Sequence, residues 1–406
     1  MMSPLSHASL AAEYGFNFDE ILDRRASDSV KWNMDWIADD MLSMFLADQD
    51  FRSSPAIIEA LQLRAAQGTF GYSLPDPALK PAIAAWLQHE QDWAVAPEQI
   101  IMQSGVNSAY EMACQMLLTA GDGVLVQTPL YGPILAAAAR AGRQLQEAPL
   151  ALIREGTLVR YEVDLDALRA AITPESKLLL LCNPHNPTGE VFSRADLEQI
   201  GEICLEHDLI LISDEIHAPV LLGGAEHIPI ASIAPAISQR TITLQSPSKA
   251  FNLPGLACSF AVVQDDELRA QYEAFQGERL PHVNAFGLAA ALAAYRDSAD
   301  WLAANLAYLT ENRDFTYDFL SDCLPQMGST RPAGTYLQWL DFGWLPLAEG
   351  STPQQFFAEE GRVSLSGGWF GSGDEGFVRL TFATPRAILQ DGLERMRAAV
   401  ERLLAG

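Results

Sequence analysis

The sequence predicts an α/β protein with a mostly parallel sheet and helices on both of its faces. The apolar runs at 177–182, 209–212 and 241–244 are short and nearly continuous, which is typical of strands buried on both faces of such a sheet. Segments with helical spacing of apolar residues alternate with these runs, as in repeated βαβ units. The length of 406 residues exceeds what one core usually holds and favours two domains.

The elements follow along the chain in this alternation. Pro55 opens a predicted helix, and Ser193 with acids after it suits the start of another. Helices are predicted at 55–67, 77–93, 109–118, 193–206, 267–295, 301–320 and 389–404. Strands are predicted at 100–103, 124–127, 177–182, 209–214, 241–244, 259–263, 336–341 and 378–382.

The predicted domain organisation is discontinuous. Residues 1–54 are poorly periodic and form an arm that belongs in part to the smaller domain. Residues 55–294 contain the strand–helix alternation and form the large α/β domain. Residues 295–406 form the rest of the small domain, which mixes strands and helices as an α+β unit.

Composition and charge exclude several classes of partner. A formal net charge of −26 opposes binding to nucleic acid or to anionic membranes. No apolar run has the length of a membrane span, and residues 1–19 lack the pattern of a secretory signal. The five cysteines are scattered, which favours reduced thiols in a cytoplasmic protein. No Cys/His spacing resembles a zinc site, so we expect no metal.

Lys249 is the strongest candidate for a functional residue. It follows the strand at 241–244, and open α/β sheets bind their ligands at the carboxyl ends of strands. Burying an unpaired ammonium is costly, but a partly desolvated amine loses its proton more easily and can form a Schiff base. From these residues alone, a solvated loop lysine is an equally good interpretation.

Four other strand ends carry polar or aromatic candidates. Ser104-Gly105 precedes a helix, so the free N–H groups there could bind an anion. Tyr131 and Asn186 each lie just past a strand, although ordinary turn chemistry also explains the asparagine. Asp214 ends a buried strand, where an unpaired acid is costly, although it could instead be a helix cap.

In combination, these motifs resemble the fold-type I pyridoxal phosphate (PLP) enzymes of the aminotransferase class I/II superfamily. Within that superfamily the sequence is most similar to the cystathionine β-lyase (MalY/PatB) branch of C–S lyases. The resemblance extends over nearly the whole chain and implies a mostly parallel seven-stranded sheet in the large, PLP-binding domain. The motifs that carry it are at 30–32, 46–48, 70–72, 182–189, 213–217, 246–249 and 376–380.

The resemblance implies a role for each candidate in PLP chemistry. Lys249 would hold PLP as a Schiff base and then remove the Cα proton of the substrate. Asp214 would keep the pyridine nitrogen protonated, and Tyr131 would stack on the ring. Asn186 would hydrogen-bond the ring oxygen O3′ and, with Tyr131, contact the substrate. Arg379 would bind the substrate α-carboxylate with two hydrogen bonds.

The same resemblance implies a phosphate site and a homodimer. Tyr72 matches a tyrosine that reaches the phosphate from the other subunit, which implies two shared active sites. His217 is expected only to lie near the cofactor. The phosphate is expected to contact backbone N–H groups or hydroxyls of Gly105, Val106, Asn107, Ser246 and Ser248.

Four positions differ from the related patterns. Ala257 stands where many aminotransferases have a phosphate-binding arginine, and His217 stands where they have a tyrosine; both are as in the β-lyase branch. Phe45 and Gln49 replace the Trp and Met that are common in that branch. If this stretch lines the pocket, an unusual substrate side chain is expected.

The favoured function is α,β-elimination from L-cystathionine or a related L-cysteine S-conjugate, which gives a thiol, pyruvate and ammonia. The alternatives are a class I/II aminotransferase acting on an L-amino acid and a PLP lyase of another Cβ-substituted amino acid. A regulatory binding protein on the same fold is a further alternative. The residues do not separate elimination from transamination, because both begin with the same proton removal.

Overall fold

The structure is a computed structural model and describes residues 15–405. The strands are β1 (Leu42–Ser43), β2 (Ile100–Gln103), β3 (Gly123–Thr128), β4 (Gln144–Pro149), β5 (Ala151–Glu155), β6 (Leu158–Glu162), β7 (Ser176–Cys182), β8 (Ile210–Asp214), β9 (Thr241–Gln245), β10 (Ser259–Val263), β11 (Gly328–Ser329), β12 (Leu337–Asp341), β13 (Val363–Ser364) and β14 (Phe377–Thr381).

The helices alternate with these strands through the first two thirds of the chain. They are α1 (Val30–Asn33), α2 (Pro55–Ala66), α3 (Leu79–Gln91), α4 (Val106–Leu117), α5 (Gly132–Arg140), α6 (Leu165–Ala171), α7 (Arg194–Glu206), α8 (Pro235–Ser238), α9 (Asp266–Arg279), α10 (Ala285–Asp297), α11 (Ala299–Cys323), α12 (Pro353–Glu359) and α13 (Arg386–Ala405).

A seven-stranded sheet forms the centre of the molecule, in the order β2-β10-β9-β8-β7-β3-β4. Strands β4, β3, β7, β8 and β9 are parallel, and β10 runs antiparallel to both β9 and β2. The α/β prediction with a mostly parallel seven-stranded sheet is therefore confirmed.

Strand β7 is buried on both of its faces, which explains why its apolar run is continuous. Leu178 and Leu180 face a core that includes residues of α4 and α5, whereas Leu179 and Leu181 face a core that includes residues of α7. All four leucines are buried, because alternate side chains point to opposite faces and both faces carry helices.

The carboxyl ends of the parallel strands meet at one edge of this sheet. Cys182 of β7 lies opposite Asp214 of β8, and Asp214 lies opposite Leu244 of β9. The loops that follow these strands carry Asn186, His217 and Lys249 side by side. The register thus brings together residues that are far apart in sequence.

A second sheet has five strands, in the order β14-β12-β11-β6-β5. The sequence analysis did not predict the β5–β6 hairpin, which pairs in this sheet with strands from the C-terminal third of the chain. Tyr161 and Val159 are buried while Arg160 and Glu162 are not, so the period-two alternation was present in the sequence. The domain boundaries at 54 and 294 stay a prediction.

Residues 267–295 form two helices, so the prediction of one helix was wrong there. Helix α9 ends at Arg279, and Leu280 has an extended backbone with φ −104° and ψ 142°. Pro281 explains the break, because a proline ring disfavours helical backbone at the residue before it. Asn284 then caps α10 by accepting the N–H of Gly287 at 2.8 Å.

The N-terminal segment is fixed by a buried charge cluster. Lys31 is fully buried and pairs with Asp50 at 2.7 Å, and Arg24 contacts Asp50 at 2.7 Å and Asp48 at 2.9 Å. Strand β1 pairs in parallel with β13 near the C-terminus. These contacts fix residues 42–50, which run past the carboxyl edge of the large sheet.

Within residues 15–405, no helix combines the length and apolar character needed to cross a bilayer. In the same range, no group of three or more His, Cys, Asp or Glu residues could hold a metal ion. The cysteines are free, and four of them are buried whereas Cys323 is exposed.

Candidate active site

A cavity of about 480 Å³ opens at the carboxyl edge of the large sheet. Its lining includes eleven of the twelve predicted site residues, with Tyr72 as the exception. The eleven are Gly105, Val106, Asn107, Tyr131, Asn186, Asp214, His217, Ser246, Ser248, Lys249 and Arg379.

Lys249 reaches into this cavity, so it is not a solvated loop lysine. Its Nζ donates a hydrogen bond to the carbonyl oxygen of Ala47 at 2.7 Å. Desolvation, with the nearby charge of Arg379, lowers the pKa of Lys249 to about 8, and the charges of Asp48 and Asp214 act in the opposite direction. The amine is therefore about half neutral near pH 8.

Asp214 is a buried carboxyl group at the end of β8. One of its oxygens accepts the hydroxyl of Tyr110, and the other accepts the N–H of Ile216 at 3.0 Å. Desolvation raises the pKa of Asp214 to about 6, although both hydrogen bonds favour its ionised form. A cation held beside this carboxylate would stabilise the charge that burial disfavours.

Tyr110 is not among the site residues predicted from the sequence. It lies on α4 four residues after Val106, so one helical turn places it on the same face as the predicted anion site. That spacing was the available signal. Tyr110 is buried, and it links α4 to the carboxylate on β8.

Arg379 and Asn186 are joined across 193 residues of sequence. The Arg379 Nη1 donates to Asn186 Oδ1 at 2.9 Å, and its Nη2 donates to the carbonyl oxygen of Phe45 at 3.0 Å. Only 2% of Arg379 is exposed, and desolvation lowers the pKa of its guanidinium to about 10. Within the described part of the chain no carboxylate pairs with it, and its Nε has no partner. Such a cation is suited to an incoming anion.

The predicted phosphate end of the cavity lies at the start of α4. Gly105 has φ +95°, and a Cβ placed on it would meet only Ser108 Oγ, at 4.0 Å. The N–H groups of the first helical turn have no partner within the helix. The Ser246 Oγ lies 2.7 Å from the Cys258 carbonyl oxygen and 2.8 Å from Ser248 Oγ. Both serines line the cavity, so hydroxyls and helix N–H groups lie at the same end.

Tyr131 and His217 add two rings to the lining. The Tyr131 N–H donates to the carbonyl oxygen of Asn186 at 3.1 Å, and the Tyr131 ring meets Trp369 edge to face with centroids 5.7 Å apart. His217 packs on Tyr336 with centroids 6.0 Å apart. Burial holds the pKa of His217 well below its usual value, so its imidazole is neutral.

The two departures from the β-lyase pattern lie in different places. Phe45 lines the cavity. Gln49 does not line it, but its Nε2 donates to the backbone oxygen of Lys249 at 2.9 Å. Ser366 and Trp369 also line the cavity, and the sequence analysis did not predict them.

Tyr72 lies outside the cavity of its own chain. Its side chain is fully exposed, as is most of Leu74, and Phe70 is largely exposed beside them. Phe70 stacks on Phe286 with centroids 5.8 Å apart. The insertion of Tyr72 into the cavity of another subunit stays a prediction.

Comparison with known proteins identifies the family. The family model "Aminotransferase class I and II" matches residues 44–396. The chain belongs to this family. It is 39% identical over 390 residues to cystathionine β-lyase PatB of Bacillus subtilis, which covers 95% of this chain and 100% of the relative.

Two solved structures of PLP-bound proteins are similar over nearly the whole chain. The putative aminotransferase of Clostridium difficile is 34% identical with a TM-score of 0.90, covering 95% of this chain and 99% of that chain. The C–S lyase of Staphylococcus hominis is 30% identical with a TM-score of 0.88, covering 95% and 98%. The predicted membership of the aminotransferase class I/II superfamily is therefore confirmed.

PLP is the cofactor of this family, and the cavity residues fit it. A cavity of about 480 Å³ is in the range of small-molecule sites. Asp214 matches a protonated pyridine nitrogen, the start of α4 with Ser248 matches a phosphate, and Lys249 matches the aldehyde. Ala257 lines the cavity where many members have arginine, so backbone dipoles and hydroxyls would have to form more of a phosphate site there.

Proposed function

We propose that this chain is a PLP-dependent C–S β-lyase that cleaves L-cystathionine or related L-cysteine S-conjugates. The observation that carries the proposal is one cavity that holds both Lys249, whose amine is partly neutral, and Arg379, a cation without a carboxylate partner. An amino acid bound by its carboxylate at Arg379 would place its amino group near Lys249. The cystathionine β-lyase and C–S lyase relatives support the reaction type.

The reaction needs no oxidant or reductant. A cysteine conjugate and one water give a thiol, pyruvate and ammonia: the Cα–H, Cβ–S and Cα–N bonds break, and the oxygen of the water becomes the keto oxygen of pyruvate. The electron pair of the Cβ–S bond leaves on sulfur. When bound, PLP supplies an electron sink that makes the Cα proton acidic.

The residues divide the work by position. Lys249 would hold the cofactor covalently, and its amine, once free, would move the Cα proton. Asp214 holds a proton on the pyridine nitrogen, and Tyr110 keeps the Asp214 carboxylate in place. Arg379 binds the α-carboxylate, and Asn186 orients the guanidinium through its 2.9 Å hydrogen bond.

A class I/II aminotransferase is the second candidate, and the family model and the Clostridium difficile neighbour favour it. The same residues would serve, because the two reactions differ only after the Cα proton has been removed. A PLP lyase of another Cβ-substituted amino acid would also use them. A purely regulatory role is disfavoured because the cavity holds a full set of candidate catalytic groups.

The proposal includes a homodimer with shared sites and a cytoplasmic location. A second copy would cover the exposed residues Phe70, Tyr72 and Leu74 and would bring Tyr72 to the partner's phosphate end. Free cysteines support a reducing compartment. The net charge of −26 supports the expectation that neither nucleic acid nor an anionic membrane is a partner.

Incubation with L-cystathionine in the absence of any keto acid tests the function. We expect pyruvate and free thiol in equal amounts over many turnovers. A single turnover that leaves pyridoxamine phosphate on the protein would favour the aminotransferase. A rate no higher than that of free PLP with L-cystathionine, with other L-cysteine S-conjugates and with L-amino acids plus a keto acid would contradict both enzymes and favour a regulatory protein.

A further inference from the structure

Two aromatic residues line the cavity close to Arg379. The carbonyl oxygen of Phe45 accepts from the Arg379 guanidinium at 3.0 Å, and the ring centroid of Trp369 lies 5.9 Å from the Arg379 Cζ. Phe45 and Trp369 both line the cavity, whereas Trp36 packs edge to face on Phe45 with centroids 4.8 Å apart. These three residues, Trp36, Phe45 and Trp369, are called the aromatic wall below.

The aromatic wall extends from the cavity to the surface of the chain. Trp36 is 46% exposed and Trp369 is 41% exposed, although large apolar side chains are usually covered. Tyr131 continues the aromatic surface inward from Trp369. A group that binds beside Arg379 therefore lies near the rings of Trp369 and Tyr131.

The charged groups of the lining all have roles in the proposed function. Lys249, Asp214 and Arg379 are the charged side chains among the described residues that line the cavity, and His217 is neutral. Within this chain, none of the three remains for a second amino or carboxylate group at the far end of a substrate. Such a group would have to stay hydrated outside the aromatic wall, because burying it unpaired is costly.

The substrate's β-substituent lies close to its α-carboxylate. Its sulfur is bonded to Cβ, and Cβ is separated from the carboxylate carbon only by Cα. With the carboxylate bound at Arg379, the group on sulfur begins within a few bonds of that arginine, which donates to the Phe45 carbonyl oxygen and lies 5.9 Å from the Trp369 ring centroid. The aromatic wall is then the surface that the leaving thiol contacts.

We infer that the enzyme prefers L-cysteine conjugates whose sulfur carries an uncharged aryl or arylalkyl group, and that Phe45 and Trp369 determine this specificity. The inference rests on the proposed function and narrows its substrate class. An aromatic ring gains edge-to-face and stacked contacts on this surface, whereas the zwitterionic end of cystathionine gains none. The bond broken is still Cβ–S, and the products are the aryl or arylalkyl thiol, pyruvate and ammonia.

A comparison of S-benzyl-L-cysteine with L-cystathionine on the PLP-loaded enzyme tests the preference. Both release an alkyl thiolate, so the comparison isolates recognition from the basicity of the leaving group. We expect kcat/KM for the benzyl conjugate to be higher by about tenfold or more, as a well-filled apolar contact provides. An equal or higher value for L-cystathionine would overturn the inference while leaving the proposed function intact.

Variants of the aromatic wall test the two named residues. Trp369→Leu and Phe45→Leu should each lower kcat/KM for S-benzyl-L-cysteine by about tenfold. The kcat/KM for pyruvate release from S-methyl-L-cysteine should change little, because a methyl group does not reach along the aromatic wall. A merely structural effect would lower kcat/KM for both substrates alike. That result would overturn the role of these residues.

Leu404→Ala, at an exposed position on α13 outside the cavity, is the control. It should leave kcat/KM for both substrates unchanged. If Trp369→Leu fails to bind PLP, Phe45→Leu and the two-substrate comparison on the unchanged enzyme decide the question. Pyruvate release from none of the conjugates would overturn the proposed function and this inference together.

Discussion

The Nζ of Lys249 donates to the carbonyl oxygen of Ala47 at 2.7 Å, and the hydroxyl of Tyr336 donates to the same oxygen at 3.1 Å. The acceptor is a backbone atom of the N-terminal segment that the Lys31–Asp50 ion pair helps to fix. A backbone carbonyl does not titrate, so it orients the amine without supplying a full negative charge. The free lysine is therefore held in position while its pKa stays low.

The covalent role of Lys249 is the first prediction. Lys249→Ala should remove the yellow absorbance of the bound cofactor and lower the rate of pyruvate release by at least roughly 10²–10⁴-fold, the usual contribution of a positioned acid–base group. Borohydride reduction of the unchanged enzyme followed by peptide mapping should find the reduced cofactor on this lysine. Label on any other lysine would contradict the assignment.

The rate of PLP loading should depend on pH through the same amine. Only neutral Lys249 attacks the aldehyde, and desolvation lowers its pKa to about 8. Loading of the apoprotein should therefore accelerate as pH rises and reach half its maximum near pH 8. Stopped-flow absorbance from pH 6.5 to pH 10, at constant ionic strength, measures this midpoint. A midpoint above pH 10 would mean that the lysine is solvated.

Tyr336→Phe should raise that midpoint. Without the tyrosine hydroxyl, the Ala47 carbonyl oxygen accepts from the Lys249 ammonium alone, which favours the charged form. We expect a shift of up to about one pH unit, since a net hydrogen bond is worth about 1 kcal/mol. Tyr317→Phe, whose hydroxyl contacts Thr157 and not the site, is the matched control. Equal midpoints in the two variants would show that Tyr336 does not act on Lys249.

Asp214→Ala should lower turnover far more than cofactor retention. The covalent bond and the phosphate contacts still hold PLP, but the pyridine nitrogen loses the carboxylate that keeps it protonated. Equilibrium dialysis and the rate of pyruvate release measure the two effects separately. Equal losses in both would mean that Asp214 is mainly structural.

Tyr110→Phe should shift the acid limb of the pH–rate profile to higher pH, while the reaction itself stays the same. The Tyr110 hydroxyl lowers the pKa of Asp214, so its removal raises that pKa. As the solution is acidified, Asp214 of the variant is then protonated at a higher pH than Asp214 of the unchanged enzyme. A pH profile of kcat/KM between pH 5 and pH 8 measures the shift, and an unmoved limb would contradict the link between these two residues.

The shared active site is tested by mixing two inactive variants. A heterodimer of Lys249→Ala and Tyr72→Ala protomers would contain one intact site, because the intact Lys249 and the intact Tyr72 come from opposite chains. Activity should return in purified heterodimers and be absent from both homodimers. Heterodimers with no activity would place Tyr72 outside the partner's site.

Much of the site could be predicted because it lies at strand ends. Asn186, Asp214 and Lys249 follow continuous apolar runs, and the parallel register brings such positions to one edge. Gly105 could be predicted because a strand, a small-residue turn and a helix follow one another. The general α/β arrangement could be predicted from the alternation of apolar runs with segments of helical spacing.

The remaining site residues depend on contacts between distant segments. Arg379 meets Asn186 across 193 residues and the Phe45 carbonyl across 334, which no local pattern encodes. Its role was expected only from the family resemblance. Trp369 and Ser366 lie in loop and bridge segments. These segments have no periodicity that would indicate where the side chains point.

The β5–β6 hairpin has a consequence for dissecting the chain. It leaves the large sheet after β4, completes the sheet formed by β11, β12 and β14, and returns to β7. A fragment that begins at residue 295 would lack two of the five strands of that sheet and would expose an unpaired edge at β11. The C-terminal third is therefore not expected to survive excision as an autonomous folding unit.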